Sequence, residues 1–205
     1  MFDKVITERT KSTLALLGKE EILKKCYLAG GTAMALQFGH RLSFDLDFFT
    51  NIEFDRKLVI QKIESFDFKT GREAWGTILG KLGDTQFSLF YYEYPLITKT
   101  LDYLGINLAS PEDIAAMKID AIGGRGAKRD FIDLYFLVKK FGNLQILLDF
   151  YNQKYNKLET NRFHILKSLQ YFNDADKDDD LKMLVTDYSW EEVKKTLVEE
   201  VNKLI

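Results

Sequence analysis

Asp45 and Asp47 stand one residue apart in Ser43-Phe44-Asp45-Leu46-Asp47-Phe48-Phe49-Thr50, where polar and apolar residues alternate over most of the length. That period is the mark of a strand, so Ser43, Asp45 and Asp47 are expected on one face and Phe44, Leu46 and Phe48 on the other, entering the core. Two carboxylates about 7 Å apart at the backbone on so rigid a support can share a hard cation. Mg2+ (or Mn2+) takes oxygen ligands and keeps places for water and phosphate. Phosphoryl and nucleotidyl transfer need that arrangement to neutralise charge and to activate an attacking oxygen. On its own the pattern is weak, because a solvated edge strand with two surface acids reads the same way.

Upstream, Gly30-Gly31-Thr32 lies between a short apolar run, Cys26-Tyr27-Leu28-Ala29, and a short helix expected over 32–38 and stopped by Gly39. Glycines let a backbone approach a phosphate closely, the first amides of the helix offer donors, and Thr32 adds a hydroxyl. An ordinary strand-to-helix turn is the plainer reading of the glycines alone. Arg41 suits three roles: a bridge to phosphate, a brace for the carboxylates, or a solvated surface charge. His40 reads as structural, since nothing pairs it with a nucleophile. Far downstream, Lys118 has Ile114, Ala115, Ala121 and Ile122 one turn to either side, which puts it on the apolar face of its helix. A lysine there must snorkel or meet an anion. Asp130 and Asp133 share a face with Leu134 and Leu137. Arg129 could pair locally with Asp133, or Asp133 could turn inward and hold Lys118 or an active-site group. Arg125, Lys128 and Arg129 add positive charge that suits nucleic-acid phosphate or a plain solvated surface.

The elements that must position these groups differ between the two halves. Helices are expected over 4–17 and 55–65, and strands over 66–72, 75–79 and 86–94, with a turn at Gly80-Lys81-Leu82-Gly83-Asp84. From Ser110 onward the pattern is helical. Ser110-Pro111-Glu112-Asp113 supplies a cap, a first-turn proline and favourable acids for a helix that stops at Gly123-Gly124. Further helices are expected over 128–141, 144–155 and 162–172, and Ser189-Trp190-Glu191-Glu192 is a capping box that opens the last. The acidic run from Asn173 to Asp180 reads as a solvated loop, since it lacks the glycine and closing glutamate of a calcium loop. The fold class is therefore α+β, with a mixed-sheet domain over 1–108 and a helical part over 109–205.

With 205 residues, 46% of them hydrophobic and 29% charged, the chain can build one substantial core or two small subdomains, and whole-chain disorder is excluded. The net charge of −2 does not point to nucleic acid by itself. The single Cys26 excludes an internal disulfide framework and fits a reducing, cytoplasmic setting. The first residues lack the apolar run of a signal peptide, and no stretch approaches the roughly 20 apolar residues of a membrane helix, so no membrane partner is expected.

Two segments carry a resemblance. Leu28 through Thr50, LAGGTAMALQFGHRLSFDLDFFT, resembles the first motif of the AbiEii/AbiGii toxin family, and Met117 through Tyr135, MKIDAIGGRGAKRDFIDLY, resembles its later motifs. The resemblance implies a polymerase-β-like nucleotidyltransferase domain whose helical C-terminal part completes the active-site cleft. It implies metal-dependent transfer of a nucleoside monophosphate from a nucleoside triphosphate to an acceptor, tRNA or another RNA. It also implies the toxin half of a toxin–antitoxin or phage-defence pair, with a cognate antitoxin as partner. Asp45 and Asp47 would be the catalytic metal ligands. Gly30, Gly31, Thr32, Arg41, Ser43 and Lys118 would bind nucleotide, and Lys118 would act with Asp133 or Asp130. One departure stands out: enzymes of this type often place a third carboxylate on a neighbouring strand. Phe87-Ser88-Leu89-Phe90-Tyr91-Tyr92-Glu93-Tyr94 has no acid in its middle, leaving Glu93 near the end as the local candidate. A catalytically weak nucleotide- or partner-binding module on the same fold is the alternative, and an interaction protein with two surface acids is the third reading.

Overall fold

Strand alternation in the first half of the chain builds a seven-stranded mixed sheet. The strands are β1 (Tyr27–Leu28), β2 (Leu46–Thr50), β3 (Phe68–Ala74), β4 (Thr77–Leu82), β5 (Thr85–Tyr91), β6 (Leu101–Tyr103) and β7 (Ile106–Leu108), in the order β3-β4-β5-β2-β1-β7-β6. β2 pairs with β5 and β1 with β7 in parallel, and the remaining neighbours are antiparallel. The computed structural model describes residues 1–205, which pack as two units: Met1–Pro95 with Lys99–Ala109, and Leu96–Thr98 with Ser110–Ile205.

In the first unit the ladder register puts Ile78, Leu89, Phe48, Leu28 and Leu108 in one row across the sheet, and each is at most 1% exposed. Burial of side chains of this size is worth about 1.5–3 kcal/mol each, which makes this row the spine of the core. Helices α1 (Glu8–Leu17), α2 (Gly30–Phe38) and α3 (Arg56–Ile63) belong to the same unit. α2 is buried over five successive residues, Thr32 to Leu36, so it is a core helix with no solvent stripe. Gly39 ends it at φ +68°.

Two differences from the sequence reading concern β2. It begins at Leu46, so Ser43 and Asp45 precede the strand, and Phe44 is 42% exposed instead of buried. The cause is local: Thr32 Oγ1 donates to the Asp45 carbonyl at 2.5 Å, which occupies a backbone group that a longer ladder would have used. β6 and β7 lie in a segment where no element was expected. Their turn has Leu104 at φ +55° and Gly105 at φ +81°, the two positive angles of a tight hairpin turn. Leucine at the first of those positions hides the usual Asn-Gly signature.

The second unit is helical: α4 (Pro111–Gly124), α5 (Lys128–Phe141), α6 (Leu144–Tyr155), α7 (Leu158–Ser168) and α8 (Trp190–Asn202). α4 carries the expected cap, with Ser110 Oγ accepting from Asp113 N at 3.1 Å, and Ser189 Oγ accepts from Glu192 N at the start of α8. Ile114, Ile119, Phe131, Leu134, Leu137, Leu147, Leu148, Val193 and Leu197 close its core. The acidic run after residue 173 is more than a solvated loop. Asp178 Oδ2 accepts from Lys128 N at 2.8 Å and caps α5, whose own preceding residue, Ala127, has no side chain for the task. Asp176 accepts from Trp190 Nε1 at 2.7 Å, so the loop ties the beginning of α5 to the beginning of α8. No helix is long and apolar enough to cross a membrane.

Candidate active site

The glycine turn and the carboxylate strand meet in the first unit. Ala29 N donates to Asp47 O at 2.9 Å, which locks the end of β1 against β2 and sets the start of α2 beside Asp47. Gly30, the first residue of α2, has φ +65°, and a methyl group there would lie 3.2 Å from Asp47 Oδ2. Glycine is required on both counts: the left-handed angle penalises any Cβ, and the carboxylate already fills the space. No side chain caps α2, since the preceding residue is Ala29. An uncapped helix start of this kind can receive phosphate on its first amides.

Gly31 serves a second close approach. A Cβ at that residue would come within 2.3 Å of Arg41 Nη2 and 3.1 Å of Ser43 Oγ. Arg41 is 4% exposed and Nη1 donates to the Leu42 carbonyl at 3.0 Å, which excludes the solvated-surface reading of this arginine. Thr32 is 1% exposed; its hydroxyl lies 2.9 Å from Ser43 Oγ and donates to Asp45 O at 2.5 Å. The hydroxyl expected to face phosphate thus braces the backbone that carries Asp45. His40 is buried, with its ring edge-on to Phe38 at 6.1 Å. Asp45 and Asp47 are both half-buried.

No group of three His, Cys, Asp or Glu side chains is assembled to hold a metal. The residue beside Asp47 on β5 is Ser88, in the row where a third acid would stand. Glu93 lies beyond the end of β5, which stops at Tyr91, and is exposed. The next residue pair on the Asp47 face is aromatic: Phe49 packs on Phe90 at 5.4 Å and on Tyr92 at 5.3 Å, and Tyr92 on Tyr94 at 5.2 Å.

The second unit holds the other expected residues in one buried ionic cluster. Lys118 Nζ lies 2.8 Å from Asp130 Oδ1 and 2.5 Å from Asp133 Oδ2, and both aspartate side chains are 0% exposed. The lysine therefore meets anions and does not snorkel, and both aspartates contribute where one was expected. Arg125 donates to Asp130 in two-pronged fashion, Nε to Oδ2 at 2.8 Å and Nη2 to Oδ1 at 3.1 Å. Burial works to raise the Asp130 pKa, but the charges of Lys118 and Arg125 and their hydrogen bonds prevail and hold the carboxyl below the ordinary range. A second buried pair, Lys154 with Asp113 at 2.7 Å, was not foreseen. Asp113 also receives Ile97 N at 3.0 Å and Ser110 Oγ at 3.0 Å, a structural clasp on the segment Leu96–Thr98. Its sequence signal, an acid in the first turn of α4, looks identical to a surface helix-dipole acid.

Comparison with known proteins joins these features. The family model described as nucleotidyl transferase AbiEii toxin, type IV TA system, matches residues 14–88 and 89–203. An uncharacterized protein of Aquifex aeolicus (strain VF5) is 38% identical over 192 residues, with 87% of each chain covered. Among solved structures, the nucleotidyltransferase toxin MenT4 of Mycobacterium tuberculosis H37Rv gives a TM-score of 0.61 at 15% identity, over 95% of this chain and 82% of its own. A putative nucleotidyltransferase from H. pylori gives 0.55 at 17% identity, over 96% of this chain and 92% of its own. At such identities the likeness establishes the fold alone, a mixed sheet with helices shared with these nucleotidyltransferases.

Proposed function

Because the chain belongs to the AbiEii nucleotidyltransferase toxin family, we propose that it moves a nucleoside monophosphate from a nucleoside triphosphate to an RNA acceptor, tRNA foremost. In this reading it is the toxin half of a cytoplasmic toxin–antitoxin or phage-defence pair, with a cognate antitoxin as partner. The observation that carries the reading is Gly30 packed against Asp47 at the uncapped start of α2. A helix end open to phosphate beside a carboxylate supports nucleotide chemistry.

The donor set fits a divalent cation such as Mg2+ or Mn2+. Two half-buried carboxylates on adjoining backbone leave its other positions to water and phosphate, the usual economy of Mg2+ sites. Asp45 and Asp47 would hold it, and when bound it supplies charge neutralisation for the phosphates and a more acidic acceptor hydroxyl. The protein's own groups do the positioning. The first amides of α2 at Gly31 and Thr32 take phosphate oxygens. Thr32, through the Asp45 carbonyl and Ser43, fixes where Asp45 stands. Arg41, packed over Gly31, braces the same turn and keeps it against the strand. Lys118, in the second unit, is held by Asp130 and Asp133.

The test is incorporation of labelled nucleotide into a total tRNA pool in the presence of Mg2+, with Asp47→Ala as control. Label in RNA that disappears with Asp47→Ala supports the reading; absence of label with every triphosphate overturns it. Ser88 in place of an acid beside Asp47 favours the second reading, a nucleotide-binding module with weak chemistry. That reading expects a triphosphate to raise the melting temperature, with the rise abolished by Asp45→Asn, while no product forms.

A further inference from the structure

The face of the sheet that bears Asp47 continues outward along β5, β4 and β3, and its outer edge is basic. Paired residues in a ladder point to the same side, so the register gives one row as Asp47, Ser88, Leu79 and Arg72. The adjoining row is Gln86, Lys81 and Lys69. Arg72, Lys69 and Lys81 therefore share the face of Asp47, about 14 Å from it across three strand spacings for Arg72. All three are exposed.

None of the three forms an ion pair. Lys69 stands directly opposite Lys81, a like-charge juxtaposition that weakens a hairpin. The acids at the ends of these strands, Asp67 and Asp84, turn to Arg9 at 3.5 and 2.8 Å, two carboxylates against one cation. Glu73 pairs with Ile78, whose side chain is in the core row, so it belongs to the opposite face. At the tip of the same hairpin Trp75 is 73% exposed, with its ring 5.3 Å from that of Tyr91, which the register puts on the Leu89 side of the sheet, so it marks the end of the basic face without belonging to it.

We propose that the exposed β3–β4 hairpin is the docking surface for the acceptor polynucleotide, with Lys69, Arg72 and Lys81 on its phosphates and the strand led along Gln86 and Ser88 towards Asp47. The proposal rests on the nucleotidyl-transfer reading for its choice of an RNA occupant. The chain as a whole carries a net charge of −2, so three cations on one face of the hairpin are a local feature and not a consequence of composition.

The test is equilibrium binding of the full chain to a labelled single-stranded oligoribonucleotide over a salt series. If all three side chains reach phosphates, Lys69→Gln/Arg72→Gln/Lys81→Gln makes the slope of log K against log salt shallower by about 2 and weakens binding about a hundredfold near 0.1 M salt. A matched removal of charge in α3, Arg56→Gln/Lys57→Gln/Lys62→Gln, is expected to leave both quantities near wild type. Melting temperatures check that both variants fold. Equal losses in the two variants, or wild-type binding by the hairpin variant, overturn the proposal. So does equally effective competition by polyglutamate, which would make the site one for an acidic polypeptide. Nucleotide transfer is followed with the same samples. Transfer by wild type with unaltered RNA binding by the hairpin variant sinks the docking surface alone. Hairpin-dependent RNA binding without any transfer supports the docking surface and sinks the enzymatic reading.

Discussion

Replacing Gly30 by alanine puts a methyl group 3.2 Å from Asp47 Oδ2 at a residue whose φ is +65°. The left-handed angle costs an alanine about 1–2 kcal/mol, which for a chain of this size lowers the melting temperature by about 2–8 °C. Gly39→Ala is the matched control, because its φ is +68° and its new methyl meets the ring of Phe2, away from both carboxylates. Gly39→Ala should lose at least as much stability, because its methyl comes within 2.6 Å of the Phe2 ring. The two variants should differ in chemistry, since the contact at Gly30 is relieved most cheaply by turning the Asp47 side chain, and a displacement approaching 1 Å in a reacting group costs on the order of a hundredfold in rate. Transfer to tRNA, normalised to folded protein and measured well below either melting temperature, reads that difference. Parallel losses of activity in the two variants, or full activity in Gly30→Ala, would refute the placement of Asp47 at the reacting centre.

Three further outcomes follow from the buried groups. Lys118→Met leaves Asp133 without its ammonium in a site that is 0% exposed, at an expected cost of about 3–5 kcal/mol in urea unfolding, partly recovered in Lys118→Met/Asp133→Asn; a cost below about 1 kcal/mol would mean the cluster is open to water. Asp130 is held below the ordinary carboxylate pKa, so the unfolded chain binds its proton first as pH falls. Its contribution to stability is full above the ordinary value of 3.8 and drains away towards its lower folded value; Asp130→Asn should flatten acid unfolding below that pH, and an unchanged acid limb would contradict the assignment. Burial pushes the Cys26 thiol up to about 12, so native protein should ignore a thiol reagent at mildly alkaline pH and react on denaturation. Fast labelling of the native chain would show that the surroundings of Cys26 open readily.

The parts of this fold that were legible in the sequence are those with local causes. Ser110-Pro111 starts α4, Gly142 stops α5, and Ser189 opens α8, because caps act through neighbouring backbone. The proximity of Gly30 to Asp47 was inferable only through two motifs taken together; neither glycine nor acid announces it alone. What escaped the sequence depends on partners far away in the chain. Thr32 reads as a phosphate ligand until its hydroxyl is seen on the Asp45 carbonyl. Lys154 and Asp113, 41 residues apart, look like ordinary surface charges in their own helices. The basic edge was hidden for a related reason: Lys69, Arg72 and Lys81 are scattered along 13 residues and share a face only through a register broken by the bulge between Thr70 and Arg72.

β1 is only two residues long, and it leads directly into Gly30. It is held on one side by β2 and on the other by β7, where Tyr27 and Leu28 pair with Asn107 and Leu108. During synthesis the glycine turn therefore waits for a strand made some eighty residues later. Sheets closed by such distant pairing form late. A ribosome-bound chain that has not yet released residue 108 lacks one wall of its glycine turn, so on the proposed reading the growing chain stays inactive until its sheet is complete. Fragments ending before β7 would expose β1 as an edge and should aggregate.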